Sequence, residues 1–104
     1  MVIMNGDKPV AKAVMQGKFP VKIRALDDVT RIELPLPLFG LKDTEVTYEQ
    51  FLEWIKTRCF PKERMDCKEL LEMLGLKEYN PLQIVMKTQG RLTHHDDFWI
   101  DFDH

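Results

Sequence analysis

The side chains best suited to chemistry crowd the C-terminal end, in the run His94-His95-Asp96-Asp97 and in Asp101, Asp103 and His104 just beyond it. Imidazole beside carboxylate is a ligand set for zinc, manganese or iron. A metal needs ligands that converge from one side. On an extended strand His94 and Asp96 share a face while His95 and Asp97 point to the other, and no upstream helix carries a paired-histidine array. The run therefore reads as a solvated turn leading into a terminal strand, with no metal site and no cofactor expected.

Other reactive groups are no better assembled. The chain has no serine. Cys59 and Cys67 are eight apart, which fits no zinc or redox motif. Two reduced thiols in structural roles are expected, Cys67 within a helix. Carboxylates are plentiful, but no spacing pairs them for acid–base work. The glycines are scattered singly, so no phosphate-cradling loop is present. No catalytic residue is expected, and no enzyme activity.

A basic group, Lys56, Arg58, Lys62, Arg64 and Lys68, surrounds the joint between two expected helices, in the outline of a helix-turn-helix. Glu53, Glu63, Asp66, Glu69 and Glu72 interleave with it and would oppose phosphate. With a net charge of −2, binding along a nucleic-acid backbone is not expected. The remaining leads are aromatic. Trp99 alternates with Phe98, Ile100 and Phe102, so a strand would turn it to the face opposite the apolar one. An exposed tryptophan of that kind is a strong contact anchor. The residues expected to touch a protein partner are Trp99, Phe98, Asp97, Arg58 and Trp54, through a sheet edge and an apolar anchor.

The elements that must carry these residues begin as β-structure. Val2 and Met4 flank Ile3, Asn5-Gly6 supplies a hairpin turn, and Val10, Ala11, Ala13 and Val14 form the return strand. Gly17 turns the chain again. Val21 and Ile23 alternate with Lys22 and Arg24, the period of a half-buried strand. After a turn at Asp27-Asp28, Ile32 and Leu34 suggest a fourth strand. The prolines of Leu34-Pro35-Leu36-Pro37-Leu38 argue for an extended crossover whose leucines pack on the sheet. A capping box at Thr47–Gln50 opens a helix with Phe51, Leu52 and Ile55 on one face and Trp54 near its edge. Pro61 ends that helix and opens a second with a buried stripe of Met65, Leu70, Leu71 and Leu74, closed by Gly75. Asn80-Pro81 caps a third helix carrying Leu82, Val85 and Met86, which Gly90 stops. Phe98–Phe102 is a last strand expected to join the N-terminal sheet.

The sequence thus describes an α+β protein: an N-terminal antiparallel hairpin or meander, two to three short helices and a C-terminal strand. With 104 residues, 44% hydrophobic and 31% charged, it suits one domain over 1–104, with a β-rich part at 1–38, a helical part at 47–90 and a strand and tail at 91–104. Such a chain folds with a stability on the order of 5–10 kcal/mol. No signal peptide is visible and no apolar run approaches the ~18 residues of a membrane span, so a cytoplasmic protein is expected.

Three stretches are familiar. The hairpin Met4-Asn5-Gly6-Asp7-Lys8-Pro9-Val10, the run Leu34-Pro35-Leu36-Pro37-Leu38 and the step Leu74-Gly75-Leu76 together resemble the N-terminal subdomain of HipA-type kinases. The Arg58-Cys59-Phe60-Pro61 to Arg64 stretch and the tail from Leu92 to Ile100 look like segments of HipA-like proteins of Firmicutes. The chain departs from the full kinases in lacking their ATP-binding and catalytic regions. The resemblance implies a free-standing form of that subdomain, HipS-like, which restrains a truncated kinase toxin. In that family an inserted tryptophan is implied to obstruct the kinase site, and Trp99 and Trp54 are the two tryptophans here. Besides an enzyme or metal protein built on the His-Asp tail, two other classes remain open. One is an anti-defence, anti-CRISPR-like inhibitor from a mobile element. The other is a small DNA-binding regulator using the helical pair.

Overall fold

A computed structural model describes residues 1–91 and 96–103. Five strands form one antiparallel sheet: β1 (Val2–Asn5), β2 (Lys8–Gln16), β3 (Phe19–Ala25), β4 (Glu45–Thr47) and β5 (Phe98–Asp101), in the order β4-β3-β2-β1-β5. The first three make the expected meander. Gly6 and Gly17 turn its hairpins at φ of 58° and 63°, values that favour glycine. The helices α1 (Leu36–Phe39), α2 (Tyr48–Lys56), α3 (Cys67–Met73) and α4 (Pro81–Thr88) lie between β3 and β5, with β4 after α1. The chain then closes on the far side of β1, through the register Ile3↔Ile100 and Met4↔Trp99.

One sheet face meets the helices. Ile100, Ile3 and Ala11 stand in one cross-strand row and Ile23 and Val46 in another, and all five are buried. They pack with Phe39, Phe51, Trp54, Ile55, Ile84 and Val85 in a single core. The opposite face carries Asp101, Val2, Lys12, Arg24 and Glu45 in a row across all five strands. There Glu45 takes Lys22 at 3.1 Å and Arg24 at 2.8 Å. Those two contacts, Lys22 first, hold its carboxyl below the usual range.

Four expectations fail. Ile32 and Leu34 form no strand. Arg31–Glu33 is a 3-10 turn with Ile32 exposed and Leu34 buried. The turn is tied down by Glu33, which accepts from the Thr30 amide and hydroxyl at 2.9 Å and from Lys8 at 2.8 Å, while Asn5 Nδ2 donates to its carbonyl at 3.2 Å. The Leu-Pro run is no extended crossover either. Pro35 caps α1 and Pro37 sits in its first turn, where the missing N–H has no acceptor to lose. Leu34 and Leu38 are buried as expected, but Leu36 is exposed. Finally, α3 starts at Cys67, not at Pro61, so Met65 falls outside it and is fully exposed. On α4 it is Ile84, not Met86, that joins Val85 in the core.

The other local signals operate as written. Thr47 and Gln50 cap α2 reciprocally at 3.1 and 2.8 Å, Asn80 Oδ1 accepts from the Gln83 amide at 3.3 Å, and Gly75 ends α3 at φ 74°. Among the described residues, no helix is long and apolar enough to cross a membrane.

Candidate functional site

The last strand enters an arrangement built largely by Arg58. This residue follows α2 and is buried, with 7% of its surface exposed. Its Nε and Nη2 donate to the Gly90 carbonyl at 3.0 and 2.7 Å. Nη2 also donates to the Phe98 carbonyl at 2.7 Å, and Nη1 and Nη2 reach the two Asp96 oxygens at 2.7 and 3.0 Å. A planar guanidinium satisfies several acceptors at once in a way an ammonium cannot. It joins the end of α2, the end of α4 and the start of β5.

This clamp also settles the edge of the sheet. The Gly6 amide donates to the Asp97 carbonyl at 2.9 Å. Antiparallel alternation then turns the backbone groups of Trp99 toward β1 and those of Phe98 and Ile100 outward. Phe98 N–H donates to Asp96 Oδ1 at 3.1 Å, Phe98 C=O accepts from Arg58, and Ile100 N–H donates to the Gln89 carbonyl at 2.7 Å. An edge bonded from within has little left to offer another strand. The expectation of an open strand edge is therefore corrected at β5, where the outward Phe98 N–H and C=O and the Ile100 N–H are already bonded within the chain.

Trp99 projects from the face opposite the core and is half-buried. Its indole N–H donates to the Gly6 carbonyl at 2.8 Å, and the Arg91 guanidinium lies 4.3 Å from its ring centroid. That is cation–π range. The ring is thus fixed on two sides. Gly6, Asp7, Arg91, Asp96, Asp97, Phe98 and Trp99 enclose a concavity of about 210 Å³. This is below the ~300 Å³ at which small-molecule sites begin and suits a single side chain. Asp7 and Asp97 are exposed on its rim.

The five expected contact residues therefore divide. Trp99, Phe98 and Asp97 come together at this corner. Trp54, 5% exposed, packs at a tilt of 52° against Phe51 in the core with the Arg58 guanidinium 5.4 Å from its ring. Trp54 and Arg58 hold the corner in place from beneath and are corrected from contact residues to supports. Arg91, Gly6 and Asp7 were not anticipated. The signal for Gly6 and Asp7 was the hairpin turn itself, because the β1–β5 register places it beside Phe98. Arg91 follows the helix-stopping Gly90 and carried no signal of its own.

The basic group loses its central member. Arg58 is inside while Lys56, Lys62, Arg64 and Lys68 are exposed; Lys56 pairs with Glu53 at 2.9 Å, and Arg64 Nε lies 2.6 Å from Asp66 Oδ1, though off the line of a hydrogen bond. Cys59 and Cys67 are both free and buried. Tyr79 donates to the Phe60 carbonyl at 2.6 Å, and its hydroxyl lies 3.4 Å from the Cys59 thiol, which donates to the Lys56 carbonyl at 3.6 Å. Burial, then the Cys59 contact, pushes the Tyr79 phenol above its usual range. His94, His95 and His104, the imidazoles of the C-terminal cluster, lie outside the described residues.

No protein-family model, curated protein or solved structure matches the chain.

Proposed function

We propose that this chain is a non-catalytic, cytoplasmic protein-binding module of toxin–antitoxin or mobile-element type that restrains a HipA-like kinase by covering its surface. The observation that supports it is Trp99. It is a large aromatic on the face away from the core, held by the Gly6 carbonyl and by Arg91 over a side-chain-sized hollow. Aromatics fixed in this way lose little entropy on binding and dominate interface energies. Asp7 and Asp97 on the rim favour a basic residue of the partner, since opposite charges steer encounter. The kinase as partner rests on the resemblance of the quoted hairpin, Leu-Pro run and Leu74-Gly75-Leu76 step.

Calorimetric titration of the purified chain against a HipA-like kinase encoded beside it tests the reading. Saturable binding that Trp99→Ala weakens by over ~2 kcal/mol, about thirtyfold, is expected. Absence of binding to that kinase would remove the toxin reading. An anti-defence inhibitor would use the same acidic corner against a nucleic-acid-binding partner. A DNA-binding regulator is disfavoured, because the central cation of its basic group is spent on Gly90, Phe98 and Asp96.

A further inference from the structure

At the sheet edge away from Trp99, the Ala25 amide still bonds the Thr44 carbonyl at 2.8 Å, and beyond it the chain turns back through Asp27 into the 3-10 turn. A cavity of about 370 Å³ lies there, within the range of ligand sites. Ala25, Leu26, Val29 and the buried Leu34 supply its apolar lining. Its rim is polar. Arg31 Nη1 donates to the Asp43 carbonyl at 2.6 Å and the Gly40 carbonyl at 3.4 Å. These bonds fix the guanidinium and leave Nε and Nη2 without an acceptor among the described residues. Arg31 forms no ion pair there either. Arg24 gives Nε to Glu45, and Glu45 also holds Lys22, so that carboxylate already has two cations. Asp27 is the uncommitted acid. Arg24 and Arg31 against Asp27 and Glu45 leave the lining without net charge, so a single negative charge on the free side of Arg31 suits it better than a phosphate dianion.

We propose that this cavity binds a monoanionic carboxylate carrying a compact aliphatic group. The carboxylate would lie on Arg31 beside Thr44, and the aliphatic part on Val29 and Leu34. Guanidinium–carboxylate bonds are charge-assisted and directional, and an apolar wall beside them adds burial. A free small acid and the terminal carboxylate of a peptide ending in an aliphatic residue present the same chemistry. The site shares no residue with the Trp99 corner, so it stands or falls independently of the partner reading.

The test is an amide-resonance titration of the ¹⁵N-labelled full chain with N-acetyl-leucine, N-acetyl-leucinamide and the N-acetylated tripeptide Gly-Gly-Leu. N-acetyl-leucine should shift Ala25, Leu26, Val29 and Thr44 saturably, with the neutral amide at least about tenfold weaker. Arg31→Ala should bring the acid down to the level of the amide. Because the acid–amide comparison uses the unaltered chain, it decides the matter even if that variant does not fold. Tighter binding of the tripeptide would identify a chain terminus as the ligand, and equal or weaker binding a free acid. Equal affinity for acid and amide, no saturation by ~20 mM, or shifts centred on Trp99 would overturn the proposal.

Discussion

Replacing Arg58 by alanine should be among the most damaging single changes in this fold, and the cost can be assembled from its acceptors. The buried Gly90 carbonyl loses both of its guanidinium bonds, and an orphaned buried acceptor costs about 1–3 kcal/mol. The Phe98 carbonyl lies at the strand edge, where water can partly replace Arg58, so about 1 kcal/mol is expected there. Asp96 is 36% exposed, and solvent screening holds its share below about 1 kcal/mol. The total is about 2–5 kcal/mol, a span that includes the cost of breaking an enclosed pair. Set against a stability on the order of 5–10 kcal/mol, this lowers Tm by roughly 10–40 °C. Urea unfolding should show a lower midpoint with an unchanged m-value. Asp96→Asn, which removes charge but keeps an acceptor, should cost about 1 kcal/mol or less. A loss below ~1 kcal/mol for Arg58→Ala, or an equal loss for Asp96→Asn, would refute the carbonyl-clamp reasoning.

Two further predictions concern the frame. The Glu33 carboxyl is lowered from 4.5 to about 2, chiefly by its Lys8 bond and then by the Thr30 amide. A depressed folded-state pKa contributes stability that is complete above the unfolded value and disappears as pH falls through the folded one. The Tm advantage of the native chain over Glu33→Gln should therefore shrink between pH 4.5 and 2, and an advantage that stays constant there would contradict the assignment. Gly90→Ala should cost more than Gly17→Ala. Both have positive φ, but a Cβ at Gly90 meets Ile100 Cδ1 at 3.3 Å whereas one at Gly17 meets nothing within 4 Å. Backbone strain of about 1 kcal/mol is common to both, and packing against the core adds about 1–2 kcal/mol at Gly90 alone. Equal midpoints in urea would show that Ile100 yields freely.

Much of the fold could be read locally because its signals are local. Asn5-Gly6, Thr47–Gln50 and Asn80-Pro81 each fix a turn or helix start within four residues, and the structure contains all three. The strand read at Ile32 and Leu34 failed on a signal of the same kind that carried more weight. Thr30-Arg31-Ile32-Glu33 has the spacing of a helix-start motif, and Glu33 completes it by reaching Lys8 in the first hairpin. The Leu-Pro run was misread because proline opposes a helix interior but not a first turn. β4 was missed because three residues give no period to recognise. The corner resisted for a different reason. Trp99 was legible as an outward residue from strand alternation alone. That Arg58 faces inward depends on three acceptors 32 to 40 positions away, and nothing in the spacing of the basic group distinguishes it from Lys56 or Arg64.

The measurement that bears most directly on the account is a paired comparison of Trp99→Ala and the native chain. Thermal unfolding and affinity for a HipA-like kinase, the proposed partner, would be recorded on the same preparations. Trp99 is half-exposed and contributes one surface hydrogen bond and one cation–π contact, so its removal should cost about 1–2 kcal/mol of folding stability. Binding should weaken by more than about 2 kcal/mol. Unfolding of the variant together with unchanged affinity in the fraction that remains folded would make Trp99 a structural residue and leave the corner without its proposed role.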